Sequence, residues 1–282
     1  MQYSLGTRSF RHHLISITDI ARFAKRAQFT SIDLWATHAK NLMADPHFNG
    51  PWLSQFELRV SMISDVEYTQ QDNQHTSLDR IERLCEQAWR WNCDKIQTYA
   101  GSIASHESSD YHFQHTVEQL YQMTERAAKH DVKLLIKTQA NTLADNTASI
   151  LRLLNKVQHP ALSIDFDVLN IWCAGEYPAE SWQQLNAYTR HLELNNINST
   201  KALSLFSPKQ MEHFPADAYA STLDGIFDYK KFFEQTDISA NLDTSLTWYG
   251  DAPQKTLQQD VSKLRQLIAE KQPVAILNAA NG

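Results

Sequence analysis

The sequence predicts an α/β fold of the (β/α)₈ barrel class, and three observations support this. Short, mostly apolar runs alternate with runs whose apolar residues recur at i, i+3 and i+4, which is typical of buried parallel strands and amphipathic helices. Eight such repeats fit in the 282 residues, since a barrel of this class needs ~250 residues. The chain has only 7 glycines. It lacks the glycine-rich first turn that is typical of the alternative fold, a doubly wound open sheet.

Each predicted strand is a short apolar run, and each helix between strands shows an apolar stripe. The predicted strands are Tyr3–Thr7, Ser31–Trp35, Arg59–Ser64, Lys95–Tyr99, Val132–Thr138, Leu162–Asp167, His191–Asn195 and a last one within Ile238–Trp248. Ile20, Phe23 and Ala24 form a stripe after the first strand, and Leu257 and Val261 belong to one near the end. Because no linker or shift in composition divides the chain, we expect residues 1–282 to form a single domain.

The composition excludes several classes of function. A formal charge of −6 and the lack of a Lys/Arg run disfavour a nucleic-acid partner. No apolar stretch approaches the length of a membrane span, and no signal peptide is evident. Three cysteines without a paired spacing indicate reduced thiols and a cytoplasmic protein. We therefore expect a small-molecule ligand, and the sequence also allows a homo-oligomer.

Polar residues at the ends of the predicted strands mark the candidate site, because barrels of this class place their active sites there. Strand residues alternate between faces, so Lys137, Asp167 and Glu193 are expected to converge on the barrel mouth. Burying two carboxylates without a cation is costly, and Lys137 supplies one. The three residues are candidates for catalysis, and an ion network that only stabilises the mouth is the alternative.

Further side chains near strand ends are candidates for substrate binding. They are His38, Gln97, Gln139, Asn170, Asn195, Trp172 and Trp248. The tryptophans suit an apolar pocket wall, although ordinary packing would explain both of them and His38 equally well.

A set of ordered anchors gives the chain a resemblance to a known family. They include Ile32-Asp-Leu-Trp35, Thr37-His-Ala39, Met62-Ile-Ser-Asp65, Thr98-Tyr-Ala-Gly101 and Trp248-Tyr-Gly250. Nearly end to end, the chain resembles the xylose isomerase-like TIM barrels, a superfamily that holds sugar phosphate isomerases/epimerases and family 2 AP endonucleases. Within it, the chain is most similar to the 3-dehydroshikimate dehydratases of petrobactin (siderophore) biosynthesis.

The resemblance implies a metal-dependent lyase reaction. In the family a divalent metal, usually manganese, is held by a glutamate after strand five, an aspartate after six, a histidine on seven and a glutamate on eight. The metal polarises the substrate carbonyl while a side-chain base removes a neighbouring proton. Loss of water then converts 3-dehydroshikimate into protocatechuate.

The sequence departs from the family at these same positions. Asp167 alone is retained, and the other three metal positions carry Lys137, Glu193 and Thr247. The remaining family positions are also changed, with Gln97 for arginine, Gln139 and Asn170 for histidines and Asn195 for lysine. A protonated lysine offers only hydrogen-bond donors, so it competes with a metal. We therefore expect no metal cofactor, a vestigial position at Asp167, and a pseudoenzyme that binds a dehydroshikimate-like or sugar-like ligand.

Two active alternatives stay open at this point. The chain is a manganese- or other metal-dependent dehydratase if Asp243, together with Asp167, Glu193 and a histidine such as His191 or His38, forms a relocated ligand set. Asp243 replaces the lost glutamate only if strand eight is shifted by an insertion; otherwise Thr247 holds that position. In the second alternative, Lys137 forms a Schiff base with a carbonyl substrate.

Overall fold

The computed structural model describes residues 1–65, 74–201 and 218–279. Eight parallel strands close into a barrel in the order β1-β2-β3-β4-β5-β6-β7-β10. They are β1 (Gln2–Gly6), β2 (Ser31–Trp35), β3 (Arg59–Ser64), β4 (Lys95–Thr98), β5 (Lys133–Lys137), β6 (Leu162–Asp167), β7 (Thr189–Leu194) and β10 (Asp243–Leu246). The predicted (β/α)₈ barrel is confirmed, and each strand lies where the sequence predicts it, give or take a residue or two at its ends.

Helices cover the outside of the barrel. In the described ranges they are α1 (Ile17–Arg26), α2 (Ala36–Leu42), α3 (Gly50–Ser54), α4 (Gln74–Arg90), α5 (Asp110–Ala128), α6 (Thr147–Val157), α7 (Val168–Cys173), α8 (Pro178–Leu185), α9 (Tyr229–Gln235) and α10 (Pro253–Ala279). None of the helices in these ranges is long and apolar enough to cross a membrane. A short antiparallel pair, β8 (Asn196–Ile197) and β9 (Tyr219–Ala220), follows β7.

Helix α1 shows how the local sequence produces these elements. The side chain of Ser16 accepts a hydrogen bond from the backbone N–H of Asp19 and so caps the helix, which contributes about 1 kcal/mol. Ile20 and Phe23, in the predicted stripe, are buried against the barrel. Burying each of these side chains stabilises the fold by roughly 1.5–3 kcal/mol.

Two irregularities in strand register lie beside buried carboxyl groups. The register of β2 against β3 shifts between Ile32 and Asp33, and that of β6 against β7 shifts between Ile164 and Asp165. Bulges of this kind re-aim a side chain and are common beside functional sites. Both aspartates are buried.

An ion cluster closes the end of the barrel at which the strands begin. Asp243 is the first residue of β10 and contacts the Nζ of Lys95 at 2.5 Å and the guanidinium of Arg59. Lys95 and Arg59 are the first residues of β4 and β3. Since all strands are parallel, Asp243 lies at the end opposite Lys137. This position does not fit the alternative in which Asp243 joins a relocated metal set at the mouth.

Thr247, in contrast, lies at the mouth, directly after β10. A Cβ atom built on Gly6, the last residue of β1, would lie 2.2 Å from the Oγ1 of Thr247. This close approach requires glycine at residue 6. Leu5 pairs with Leu246, so Thr247 lies beside Gly6 at the mouth end of β10.

Candidate functional site

Three predicted residues meet at the barrel mouth. The ammonium of Lys137 donates to the Oε2 atom of Glu193, and its Nζ lies 3.1 Å from the Oδ2 atom of Asp167. Lys137 and Asp167 are the last residues of β5 and β6, and Glu193 is the second-last of β7. All three are buried. The structure thus brings together the cluster that strand alternation predicts.

Two amide side chains extend this cluster to neighbouring strands. Gln97 Nε2 donates to Asp165 Oδ2 at 2.9 Å and to Glu193 Oε1 at 3.3 Å. Asn195 Nδ2 donates to Asp167 Oδ2 at 3.3 Å. The Oε1 of Gln97 and the Oδ1 of Asn195 are buried and accept no hydrogen bond from the described residues. These two oxygens are free to accept from hydroxyl groups of a ligand.

The charges of the cluster follow from burial and from its one ammonium. Burial acts to lower the pKa of Lys137, but the carboxylates of Glu193 and Asp167 raise it well above its ordinary value. Burial acts against ionisation of Glu193, yet Lys137 and a hydrogen bond from Asp165 lower its pKa to about 2. Burial and the charge of Glu193 raise the pKa of Asp165 well above its ordinary value. A charged Lys137–Glu193 pair therefore sits beside a protonated Asp165.

A second chain of polar groups lies in the barrel interior. Ser245 Oγ donates to Asp33 Oδ2 at 3.1 Å and lies 2.7 Å from His191 Nε2. Burial and the charge of Glu193 raise the pKa of Asp33 to about 7. Burial and the charge of Lys95 lower the pKa of His191 to about 3, so this histidine is neutral. His191 is thus held by Ser245 rather than by the Lys137 cluster.

Two predicted binding residues instead hold the loops of the mouth in place. The backbone N–H of Asn170 donates to Asp167 Oδ1 at 3.0 Å, which caps α7. Its side-chain oxygen accepts from the backbone N–H of Ala140 at 3.4 Å. The backbone N–H of Gln139 donates to the carbonyl of Ala144 at 3.0 Å. Both side chains are buried near the cluster, and their substrate contacts stay a prediction.

The aromatic candidates lie apart from the cluster. Trp172 packs on Phe227, with ring centroids 5.7 Å apart, in an outer pocket of about 210 Å³ between α8 and α9. Trp248 donates from its backbone N–H to Ser9 Oγ at 2.9 Å. His38 lies edge-on to Trp35, and burial lowers the pKa of His38. Among the described residues, no hydrogen bond joins these three side chains to Lys137, Asp167 or Glu193.

Sequence reasoning missed two groups that face the mouth, Arg8 and Asp33. Arg8 follows β1 directly, so the strand-end rule applied to strand one would have found it. Asp33 lies inside the apolar run of β2, and nothing in that run marks it as part of a site. Its hydrogen bond from Ser245 identifies it only in the folded barrel.

The donor set at the mouth does not fit a divalent metal. Asp167 and Glu193, the two carboxylates at family metal positions, both contact the Lys137 ammonium. Asp165 beside them is held protonated, and the nearest strand-seven histidine bonds to Ser245 instead. Among the described residues no group of three or more histidine, cysteine or acidic side chains is arranged to hold a metal ion.

Comparisons with known proteins agree with this architecture. A family model described as a xylose isomerase-like TIM barrel matches residues 18–267. The chain is 32% identical over 271 residues to a 3-dehydroshikimate dehydratase from Bacillus anthracis, covering 94% of this chain and 96% of that one. The crystal structure of the probable 3-DHS dehydratase AsbF from Bacillus anthracis, involved in petrobactin synthesis, superposes with a TM-score of 0.87 at 32% identity, covering 94% and 99% of the two chains. A structure of the IolI protein with a bound zinc atom shares the fold at 7% identity, with a TM-score of 0.77 over 96% and 99% of the chains.

Proposed function

Because the chain belongs to the xylose isomerase-like TIM-barrel family, and is similar over almost its whole length to a 3-dehydroshikimate dehydratase, we propose that it binds a small polyhydroxylated carbonyl compound at the barrel mouth. In this proposal it is a pseudoenzyme, without the metal-dependent dehydration expected of that group. The proposal treats residues 1–282 as one domain, since the barrel strands run from Gln2 to Leu246. The unpaired cysteines fit action in a reducing cytoplasm.

The position of the Lys137 ammonium supports the loss of metal chemistry. It contacts both carboxylates at metal positions, and its nitrogen has only N–H groups to offer. A divalent cation among these groups would be repelled by the ammonium and would lose Glu193 as a ligand. Lys137 thus supplies the positive charge that the two buried carboxylates require.

The same contacts disfavour a Schiff-base mechanism. An amine attacks a carbonyl only in its neutral form. The neighbouring carboxylates of Glu193 and Asp167 raise the pKa of Lys137 well above its ordinary value, against the effect of burial. Lys137 therefore stays protonated, and we expect it to donate a hydrogen bond to a carbonyl or hydroxyl oxygen of the ligand.

The amide groups suit a polyhydroxylated ring. Gln97 and Asn195 use their N–H₂ groups on the carboxylates and keep one oxygen each without a partner in the described residues. Together with the Lys137 ammonium, the mouth offers both acceptors and a donor. A compound with adjacent hydroxyl and carbonyl groups satisfies all of them.

The test combines calorimetry with a turnover assay. We expect wild-type protein to bind 3-dehydroshikimate or protocatechuate and to form no protocatechuate from 3-dehydroshikimate when Mn²⁺ is added. Manganese-dependent formation of protocatechuate by the wild type would contradict the proposed loss of metal-dependent dehydration. Absence of binding to both compounds would contradict the proposed binding role.

A restored ligand set provides the matched positive control. The triple variant Lys137→Glu, Glu193→His, Thr247→Glu places the family residues around Asp167. We expect it to bind Mn²⁺ in calorimetry and to melt at a higher temperature with Mn²⁺ than without, because metal binding stabilises the folded state. The wild type should show neither effect.

A further inference from the structure

A buried guanidinium lies at the barrel mouth without a counter-ion among the described residues. Arg8 is in the 3₁₀ turn Thr7–Phe10 that follows β1, and it is only 8% exposed. Among the described residues its side chain makes no hydrogen bond and no ion pair, and its Nε is buried without an acceptor. Leaving such a charge unpaired costs several kcal/mol. No acceptor or anion in the described part of the chain offsets this cost.

The Arg8 side chain extends over the mouth. The side chains close enough to influence its pKa are Tyr249 after β10, Tyr99 after β4, Tyr219 in β9 and Glu193 on β7. Strand β4 is three strands away from β1 around the closed barrel. The Cζ atom of Arg8 lies 5.5 Å from the centroid of the Tyr249 ring, so this ring packs against one face of the guanidinium. The group thus faces the same space as Lys137.

No described carboxylate pairs directly with the Arg8 guanidinium. Glu193 and Asp167 both contact Lys137, and Glu193 makes no ion pair with Arg8. Burial raises the pKa values of Tyr99 and Tyr219, so these phenols stay neutral at physiological pH. The guanidinium is therefore open to pair directly with a negatively charged group of a ligand.

We propose that Arg8 binds an oxyanionic group of the ligand, so that the mouth selects acids over neutral sugars. The planar guanidinium fork matches the two oxygens of a carboxylate, and a phosphate presents similar oxygens. The inference rests on the proposed function and deepens it: the ligand is a polyhydroxylated compound that carries a carboxylate, or a sugar phosphate. Its hydroxyl or carbonyl groups contact Lys137, Gln97 and Asn195, and its anion contacts Arg8.

Calorimetry on matched acid and neutral probes tests this. The pairs are protocatechuate with 3,4-dihydroxybenzamide, and fructose 6-phosphate with fructose. We expect Arg8→Gln to weaken binding of the preferred acid by at least about 30-fold, in line with the loss of one partner of a buried charge pair. Its affinity for the neutral analogue should stay within about threefold of the wild-type value. Tight binding of protocatechuate identifies the carboxylate as the source of the anion, and tight binding of fructose 6-phosphate the phosphate.

Arg11 provides the matched control, because its guanidinium packs on the same Tyr249 ring at 4.8 Å but is only half-buried. Arg11→Gln should leave the affinities for both members of each pair unchanged. If Arg8→Gln lowers the affinity for the acid and for the amide equally, the arginine has only a structural role. That result would overturn the inference and leave the proposed function standing.

A ligand-free measurement separates failure of the two proposals. We expect Arg8→Gln without ligand to melt no lower than wild type, because it removes an unpaired buried charge; a clearly lower melting temperature would overturn the inference. If wild type binds no hydroxylated probe, the proposed function fails. Benzoate and inorganic phosphate then test Arg8 alone, through their effect on the melting temperature. If either anion raises the melting temperature of the wild type but not that of Arg8→Gln, the anion site is supported. If neither anion raises the melting temperature of the wild type, the inference is overturned.

Discussion

At the scale of single residues, the mouth is organised around the ammonium of Lys137. It contacts Glu193 and lies 3.1 Å from Asp167, and all three side chains are buried. Removing one partner of a buried ion pair leaves an uncompensated charge, which is more damaging than removing both. The energetics of the cluster are therefore those of a unit.

The variant Lys137→Met should lower the free energy of unfolding by ~3–5 kcal/mol, because it strands two buried carboxylates. The double variant Lys137→Met, Glu193→Gln should be less destabilised than the sum of its single variants by ~1–3 kcal/mol. Urea denaturation measures both. Lys133→Met, on the same strand but half-buried, is the control and should change stability little. Additive effects in the double variant would contradict the pairing.

Strand alternation was enough to predict the Lys137 cluster, because each member is at or near the end of a strand with a clear apolar pattern. The partners of its members could not be predicted from sequence. Which atom of Gln97 faces Asp165, or that His191 bonds to Ser245, depends on strand register across the barrel. Sequence periodicity does not specify that register.

At the scale of elements, the two ends of the barrel carry separate ion clusters. The one at the strand beginnings joins β10 to β4 and β3 through Asp243, Lys95 and Arg59. Hydrogen bonds from Arg59 and the charge of Lys95 lower the pKa of Asp243, against the effect of burial. This cluster ties strands together and has no access to the mouth.

The variant Asp243→Asn should therefore lower stability and spare binding. We expect a loss of ~2–4 kcal/mol in the free energy of unfolding, since Lys95 is left buried without its counter-ion. Affinity for the mouth ligand, measured by calorimetry, should stay unchanged. Loss of ligand affinity at unchanged stability would instead place Asp243 in the site.

Element positions were predictable because apolar runs report burial directly. The hairpin of β8 and β9 was not, since strands of two residues carry no alternation. The register shift between β2 and β3, which leaves Ser61 out of the pairing, was also missed, because it comes from the packing of the two strands rather than from a local residue preference.

At the scale of the whole molecule, buried groups with opposite effects set the dependence of stability on pH. Asp33 keeps its proton in the folded state up to about pH 7 but loses it near pH 4 when unfolded. It therefore removes stability as the pH rises through that window. His191, with its pKa lowered to about 3, and Glu193, lowered to about 2, act in the other direction. Their contributions are complete above about pH 6.5 and 4.5 and are lost on acidification.

The variant Asp33→Asn should isolate one of these contributions. Relative to wild type it should gain stability as the pH rises from 4 to 7, reaching ~2–4 kcal/mol at pH 8. The Oδ1 atom of Asp33 has no partner in the described residues, so an amide nitrogen can take its place. Urea denaturation at several pH values measures the effect. The exposed Asp237→Asn is the control, and a difference that does not vary with pH would contradict the assignment.

The pairing of Lys137 with Glu193 and Asp167 also bears on how the protein matures. If the two buried carboxylates required a metal ion for neutralisation, the yield of folded protein would depend on the concentration of that ion. Here the neutralising charge is part of the polypeptide and is present as soon as synthesis ends. Accumulation of folded protein in cells grown with a chelator should therefore equal that in metal-replete cells. The barrel would then persist in conditions of metal scarcity under which a metal-requiring relative would be left incomplete.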